Sequence, residues 1–339
     1  MEAKNNYDMA MHYFRGIAIL LIVIEHAIVI SHGGGLVWNN YVTALFISSS
    51  IFFVFISGYL TILVEDRKHS SASAFYFRKI KNVVLPYIVV SVLIVVCDYI
   101  FLGKTIDLTL IPYKLIIGSA GPHLWFIPMI CCCFITSPLL LKLKNKHLTF
   151  LTFISFLFPV FGAHQGFFYP VKSAVLSFLY FFPIFLFGIW YYKNKQFIED
   201  YIRKNIFTIV ILALISALAM VYVQFHKTAP MEQFYFIFCF VRRLSEIMVL
   251  IFLLKYTSLF TCCQQLLNVF AKYSFGLYFF HFPLTIYLIY KFDPFLMDIG
   301  VSKPFIAGIR VLIVITASVV ICKTMNTIFG KYSRQIVGC

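Results

Sequence analysis

The sequence predicts an all-α polytopic membrane protein with about ten transmembrane helices, and three observations lead to this fold class. Hydrophobic residues make up 61% of the chain and charged residues only 12%, whereas soluble domains carry roughly 25% charged residues. Apolar segments long enough to cross a bilayer recur along the chain without the period-two alternation of a transmembrane β-barrel. The net charge of +15 is spread unevenly between alternate loops. Such a composition argues against a soluble enzyme, a nucleic-acid-binding domain and a disordered protein.

Ten segments are expected to span the membrane, because a bilayer core needs about 20 mostly apolar residues per helix. They are residues 13–31, 41–64, 82–102, 122–141, 148–164, 172–192, 205–225, 233–254, 272–290 and 304–325. The apolar segment 109–118 is too short to span and is expected to lie at the interface. With no internal repeat, no cleavable signal peptide and no soluble extension in view, residues 1–339 are interpreted as one integral-membrane domain.

The distribution of Lys and Arg predicts the orientation in the membrane. With the N-terminus in the cytoplasm, 19 of the 28 basic residues fall on the inner side and six on the outer side. The other three, Arg242, Arg243 and Arg310, lie within predicted helices. Every predicted cytoplasmic loop is basic, which favours an even number of helices with both termini in the cytoplasm. Most of the net charge of +15 is then explained by orientation, and attraction to anionic lipid headgroups is a by-product.

The nine cysteines lie in apolar runs or in predicted cytoplasmic segments, so we expect neither disulfides nor a metal site. The adjacent Cys131, Cys132 and Cys133 would point in different directions on a helix, which does not suit a shared metal ion. They are interpreted as small hydrophobic packing residues.

The first predicted helix carries the polar pair with the clearest geometry. Ten residues separate Arg15 from His26, and eleven steps of about 100° put both side chains on one helix face, about 16 Å apart along the axis. A neutral His26 in mid-membrane can accept a proton from a hydroxyl or act as a nucleophile, while Arg15 at the cytoplasmic mouth can hold a phosphate. The alternative is a packing histidine and a snorkelling arginine.

A second group of intramembrane charges lies in the eighth predicted helix. Glu246 follows Arg242 by four residues and Arg243 by three, so either arginine can pair with it on one helix face. The three residues are interpreted as a structural ion pair or, alternatively, as the lining of a polar substrate cavity.

Five motifs in chain order resemble those of the membrane-bound acyltransferase type 3 family, whose first helix carries Arg or Lys, ten residues and His. Besides Arg15 and His26, the matching segments are 52–60 (FFVFISGYL), 77–87 (FRKIKNVVLPY), 123–126 (HLWF) and 273–283 (YSFGLYFFHFP). Family members often have an acidic residue three positions before the first-helix Arg. Here His12 occupies that position, and the nearest acid is Asp8.

The resemblance implies a membrane-bound O-acyltransferase that moves an acyl group, commonly acetyl, from cytoplasmic acetyl-coenzyme A to a hydroxyl of a cell-surface polysaccharide or its lipid-linked precursor. It also implies a location in a bacterial plasma (inner) membrane. On this basis His26 is the expected catalytic residue, acting as general base or as acyl carrier. The residues expected to bind the coenzyme A phosphates are Arg15, Arg78 and Lys81.

The remaining candidate residues are assigned to the carbohydrate acceptor. They are His123, Trp125, Arg242, Arg243, Glu246 and His281. His123 and Trp125 are expected at the outer interface, where Trp is also a common anchor. For His281, a packing role and a second acid–base role are the alternatives. A transporter or flippase for a lipid-linked saccharide or an anionic metabolite is the competing function, which inverted repeats would favour. The acceptor sugar and the oligomeric state do not follow from the sequence.

Overall fold

The structure is a computed structural model that describes residues 8–29, 46, 48–103, 105, 107–159, 174–226 and 229–339. Within these ranges all regular elements are helical. The α-helices are α1 (Met9–Val29), α2 (Ser50–Lys68), α3 (Ala72–Lys79), α4 (Leu85–Leu102), α5 (Ile111–Ile117), α6 (Phe126–Lys142), α7 (Asn145–Ser155), α8 (Ala174–Lys193), α9 (Lys195–Phe225), α10 (Ala229–Tyr256), α11 (Gln264–Lys272), α12 (Ser274–Lys291), α13 (Asp293–Asp298), α14 (Lys303–Phe329) and α15 (Ser333–Ile336).

Each predicted span overlaps a described helix, although several ends differ. The span at 82–102 begins ten residues earlier, because α3 continues through a π-helical turn at Ile80–Val84 into α4. Ser71 caps α3 by accepting a hydrogen bond from the Ala74 amide, which starts the helix within a polar segment. The ends of the predicted spans at 30–31, 41–45, 160–164 and 172–173 lie outside the described residues.

Four helical stretches in the described part of the chain are long and apolar enough to cross a membrane. They are Met9–Ile28, Ala72–Phe101, Lys195–Val223 and Lys303–Ile336. Large apolar side chains on them are exposed, for example Phe207 and Leu312, as a lipid environment requires. The chain is therefore an integral membrane protein. The number of ten spans and the cytoplasmic location of the termini remain predictions.

Polar contacts connect the helices on the side of the bundle where most of the basic loops lie. Asp8, just before α1, accepts hydrogen bonds from Lys195 Nζ at the start of α9 (2.7 Å) and from the Tyr59 hydroxyl in the middle of α2 (3.2 Å). Lys255 Nζ at the end of α10 lies 3.5 Å from the same carboxylate and 2.6 Å from Glu199. We call this side of the bundle the basic end.

The other side, called the opposite end here, contains the C-terminal ends of α1 and α12. Arg310 of α14 is almost completely buried there, donates to both carboxylate oxygens of Asp293 and also donates to the Ala27 carbonyl near the end of α1. A cation is favourable at a helix C-terminus, whose last carbonyls lack partners in the helix. This contact fixes the end of α1 that carries His26.

The closest helix approach that involves a candidate motif is that of α2 and α8. A Cβ added at Gly58 would lie 2.1 Å from the Phe185 carbonyl oxygen, and one added at Gly188 would lie 2.2 Å from the Phe55 carbonyl oxygen. The neighbouring Ser57 hydroxyl donates within its own helix to the Phe53 carbonyl. Gly58 therefore permits close packing of α2 on α8.

Replacing Gly58 with alanine is expected to separate α2 from α8 and to reduce the yield of folded protein at least several-fold, because the new methyl group would overlap backbone. Size-exclusion chromatography in detergent after matched expression measures this yield. Gly308→Ala is the control, since a Cβ at Gly308 meets nothing within 4 Å. Equal yields for the two variants would contradict the packing interpretation.

Candidate active site

Three histidines from distant parts of the chain meet inside the bundle. His26 Nδ1 of α1 lies 2.9 Å from His281 Nε2 of α12, and the two ring centroids are 5.0 Å apart. His123, in the turn before α6, has its ring centroid 5.3 Å from that of His281. His281 is fully buried and His123 is 2% exposed. His123 packs against α12, and its expected place at the outer interface stays a prediction.

The Phe282 ring contacts both the His123 ring and the His26 ring. Its ring stacks on His123 at a centroid distance of 4.9 Å and meets the His26 ring edge-on at 5.3 Å. Tyr278, one turn earlier on α12, donates a hydrogen bond of 2.6 Å to the His123 carbonyl. One face of α12 therefore positions both of the other histidines.

A cavity of about 620 Å³ leads from the opposite end of the bundle to His123. Its walls come from the second half of α4, the turn at 120–123 and the second half of α12. The polar and aromatic side chains that line it are Asp98, Phe101, His123, Phe282, Tyr287, Tyr290 and Lys291. This volume is in the range of small-molecule sites. The cavity ends at His123 and Phe282, so the Phe282 ring separates it from His26.

Neither ring nitrogen of His123 has a partner within hydrogen-bond geometry among the described residues, although the Phe279 carbonyl faces the ring. Buried polar groups are nearly always hydrogen-bonded, and an unsatisfied one costs about 1 to 3 kcal/mol. This imidazole lines the cavity, but both nitrogens are buried in this structure. A hydroxyl-bearing molecule in the cavity would reach them only after a side-chain movement.

Arg15 lies on the basic side of His26, on the same continuous helix. It lines a small cavity of about 20 Å³ together with Asp8, His12, Tyr59 and Leu63. This volume holds about one water molecule. Gly16 allows α11 to pack directly on α1 here, since a Cβ at Gly16 would lie 2.6 Å from the Leu267 carbonyl oxygen. Arg15 is thus positioned between α2 and α11, toward the basic end.

A family profile described as an acyltransferase domain matches residues 9–324. The match covers every candidate site residue that the sequence predicted. The chain belongs to the membrane-bound acyltransferase type 3 family. Searches of curated proteins and of solved structures found no significant match. The family assignment establishes acyl transfer as the general activity of this acyltransferase.

Asp8 anchors the start of α1 in the acyltransferase. Burial raises its pKa, but the hydrogen bond from Lys195 and the charge of Lys255 outweigh burial and hold the pKa below the ordinary value of 3.8. The carboxylate also accepts from the Met11 amide, which caps α1. Asp8 therefore aligns the helix that carries Arg15 and His26.

Asp8→Asn is expected to lower the free energy of unfolding by about 1 kcal/mol at pH 7, because hydrogen bonds to a charged group are lost. Since the folded-state pKa of Asp8 is lowered, its contribution is complete above the unfolded value and disappears as the pH falls through the folded value. The difference from the parent should therefore shrink below about pH 3.8 in thermal unfolding curves. Asp200→Asn is the control, because Asp200 pairs with Arg203 on an exposed surface. A difference that does not depend on pH would contradict the electrostatic anchor.

The other expected donor residues of the acyltransferase lie near the basic end. The Arg78 guanidinium pairs with Glu65 and donates to the Ser70 hydroxyl at 2.6 Å, which ties α3 to the end of α2. Lys81 is half-buried in the π-helical turn. Arg78 thus already has an anionic partner in this structure. A role for either residue in donor binding stays a prediction.

The predicted pairing in the eighth span is confirmed. Arg242 Nε donates to Glu246 at 2.7 Å, and a terminal nitrogen of Arg243 donates to the other carboxylate oxygen at 2.6 Å. Arg243 also faces Glu25, whose carboxylate accepts from the amides of Ser48 and Ser49 before α2. The arginine charges are thus balanced by carboxylates, and their assignment to the acceptor stays a prediction.

Trp125 is half-buried and packs on Phe181 at a ring-centroid distance of 5.4 Å. It lies beside His123 in the chain but is absent from the wall of the large cavity. Asp98 and Lys291, which were not among the predicted site residues, do line that wall. Asp98 lies within the predicted span 82–102, so the cost of an intramembrane charge was the signal that could have identified it.

Proposed function

We propose that this acyltransferase moves an acetyl group from acetyl-coenzyme A at the basic end to a hydroxyl of a carbohydrate bound in the large cavity. The carbohydrate is a cell-surface polysaccharide or its lipid-linked precursor. The basic end faces the cytoplasm and the opposite end faces outward, in a bacterial inner membrane with ten spans. The observation that carries the proposal is the histidine cluster between Arg15 and the cavity.

The proposed reaction breaks the thioester C–S bond and forms an ester C–O bond. In the direct route, His26 removes the proton of the acceptor hydroxyl as its oxygen attacks the thioester carbonyl, and the proton then passes to the departing thiolate. In the second route, His26 itself attacks and carries the acetyl group before the hydroxyl takes it. Both routes require a neutral His26 with a free ring nitrogen. Both also require Phe282 to move, since its ring lies between His26 and the cavity.

The donor site is proposed around Arg15, Arg78 and Lys81 because coenzyme A carries several phosphate charges that guanidinium and ammonium groups bind. The cavity at Arg15 has room for about one water molecule, so donor binding must displace side chains there. The neighbouring elements α2 and α11 are the parts of the bundle that would move.

The acceptor site is proposed in the large cavity because its wall combines aromatic rings with Asp98, Lys291 and His123. Aromatic faces suit the apolar faces of sugar rings, while charged groups and an imidazole bind hydroxyls. Both arginines of the eighth span form ion pairs with Glu246 in this structure: they are Arg242 and Arg243. These three residues are therefore a less direct part of the proposed acceptor site.

His123→Phe is expected to raise the KM for the acceptor about tenfold, because the variant keeps the stacking on Phe282 but loses the hydrogen-bonding nitrogens. Steady-state kinetics of the purified protein in nanodiscs checks this. The KM for acetyl-coenzyme A is the internal control and should not change. An unchanged acceptor KM would remove His123 from the acceptor site.

Mass spectrometry of surface polysaccharides tests the proposed function directly. Cells that express the protein should show sugar residues heavier by one acetyl group, and cells without it should lack that increment. A different acyl increment would correct the donor. Identical spectra from the two strains, with the protein present in the membrane of the first, would contradict a carbohydrate acceptor.

A further inference from the structure

His281 lies in contact with His26, and its own hydrogen bonds determine which of its nitrogens carries hydrogen. His281 Nδ1 lies 3.0 Å from the Leu277 carbonyl oxygen one turn earlier on α12. A carbonyl oxygen can only accept, so Nδ1 must be the donor. The ring is fully buried, and a charged imidazolium without a counter-ion would be costly there. A neutral ring then has a lone pair on Nε2.

The contact with His281 also determines which ring nitrogen of His26 carries hydrogen. Its Nδ1 lies 2.9 Å from His281 Nε2, which is an acceptor, so His26 Nδ1 must carry a hydrogen and donate it. In a neutral His26 the second nitrogen, Nε2, is therefore left with the lone pair. A base or a nucleophile needs such a lone pair.

We propose that His281 is a positioning residue that holds His26 in the Nδ1–H tautomer and so directs the Nε2 lone pair of His26 toward the reacting groups. This assignment differs from the acceptor-binding role expected from the sequence. It rests on the proposed function for its catalytic meaning, whereas the tautomer itself follows from the hydrogen bonds alone.

Two hydrogen bonds in series link the Leu277 carbonyl to His281 and His281 to His26. The series resembles the arrangement in which an outer group orients a histidine through its second nitrogen. When His26 Nε2 gains a proton or an acetyl group, the Nδ1–H bond to His281 becomes charge-assisted and therefore stronger. Thr285 supports the geometry by donating to the His281 carbonyl at 2.8 Å. The His26 ring also packs against the Phe282 ring in a T-shaped contact.

The tautomer can be measured without any substrate. Nitrogen-15 NMR of protein labelled at histidine distinguishes a protonated ring nitrogen from one with a lone pair, and a His26→Gln sample identifies the His26 signals. We expect a protonated Nδ1 and an unprotonated Nε2 in the parent. His281→Leu should give a mixture of tautomers, whereas His281→Gln, whose amide oxygen can accept, should keep Nδ1–H.

A parent signal with hydrogen on His26 Nε2, or an unchanged tautomer in His281→Leu, would overturn the proposal. In the transfer assay, His281→Leu should lower kcat about 10- to 100-fold with both KM values unchanged, and His281→Gln should recover most of the rate. Equal rates for the Leu and Gln variants would also overturn it. Failure of the proposed function would instead appear as no transfer by the parent, with the NMR result intact.

Discussion

Replacing His26 with alanine is expected to lower the rate of acyl transfer at least about 100-fold, because the step loses its base or its acyl carrier. The side chain is held on one face by His281 and on another by Phe282, so the imidazole is already oriented in the absence of substrate. The rate is measured with purified protein in nanodiscs, using acetyl-coenzyme A and a saccharide acceptor. Membrane insertion and yield should match the parent, since the change removes no ion pair and opens only a small space.

His147→Ala is the matched control for His26→Ala. His147 is an exposed histidine near the start of α7, outside the histidine cluster and outside both cavities. Its replacement should leave the rate unchanged. Near-normal transfer by His26→Ala at normal abundance would show that the reaction does not pass through this residue.

Arg15→Lys is expected to raise the KM for acetyl-coenzyme A about 10- to 100-fold and to leave the acceptor KM unchanged. Lysine keeps the positive charge but loses the planar fork that binds two phosphate oxygens together, and hydrogen bonds to charged groups contribute about 1.5 to 3 kcal/mol. Initial rates at varied donor concentration give this value. The same rates at varied acceptor concentration give the comparison.

Arg203→Lys is the control for charge at the basic end, because Arg203 is exposed and pairs only weakly with Asp200. It should not alter the donor KM. If Arg15→Lys also leaves the donor KM unchanged, Arg15 is a snorkelling residue, and the donor phosphates bind elsewhere at the basic end.

Local geometry made part of the site predictable from sequence. The Arg242 and Glu246 pair follows from the four-residue spacing on one helix, and α1 is continuous through both Arg15 and His26 as expected. The order of the motifs predicted the family, and the apolar runs predicted the membrane helices. For the ion pair and the helices the necessary information lies within a few turns of helix or within one segment, whereas the family required motifs from most of the chain.

Contacts between distant segments were not predictable in this way. His26 and His281 are 255 positions apart, and no periodicity in either helix indicates that their rings meet. The extension of the third span to Ala72 was missed because its basic residues resemble a loop, whereas the Ser71 cap starts a helix there. The amphipathic α11, which packs on Gly16, was missed because it is too polar to be recognised as a span.

The ion pair of Arg310 with Asp293 at the opposite end was also not predictable from the sequence. The sequence placed Arg310 within a helix but gave no partner for it. In the fold, the short helix α13 between α12 and α14 brings Asp293 to it, and the Ala27 carbonyl completes the contact. A partner contributed by tertiary structure neutralises a charge that would be costly alone in a membrane.

Transfer across the bundle is the central claim, and the side from which the donor acts tests it most directly. Sealed vesicles of both orientations, prepared from cells that contain the acceptor, receive acetyl-coenzyme A with a carbon-13-labelled acetyl group, and the saccharide is analysed by mass spectrometry. Inside-out vesicles, which expose the cytoplasmic face, should incorporate the label into saccharide, and intact right-side-out vesicles should not. Equal labelling in both, or labelling only in right-side-out vesicles, would contradict a donor site at the basic end and the topology that goes with it.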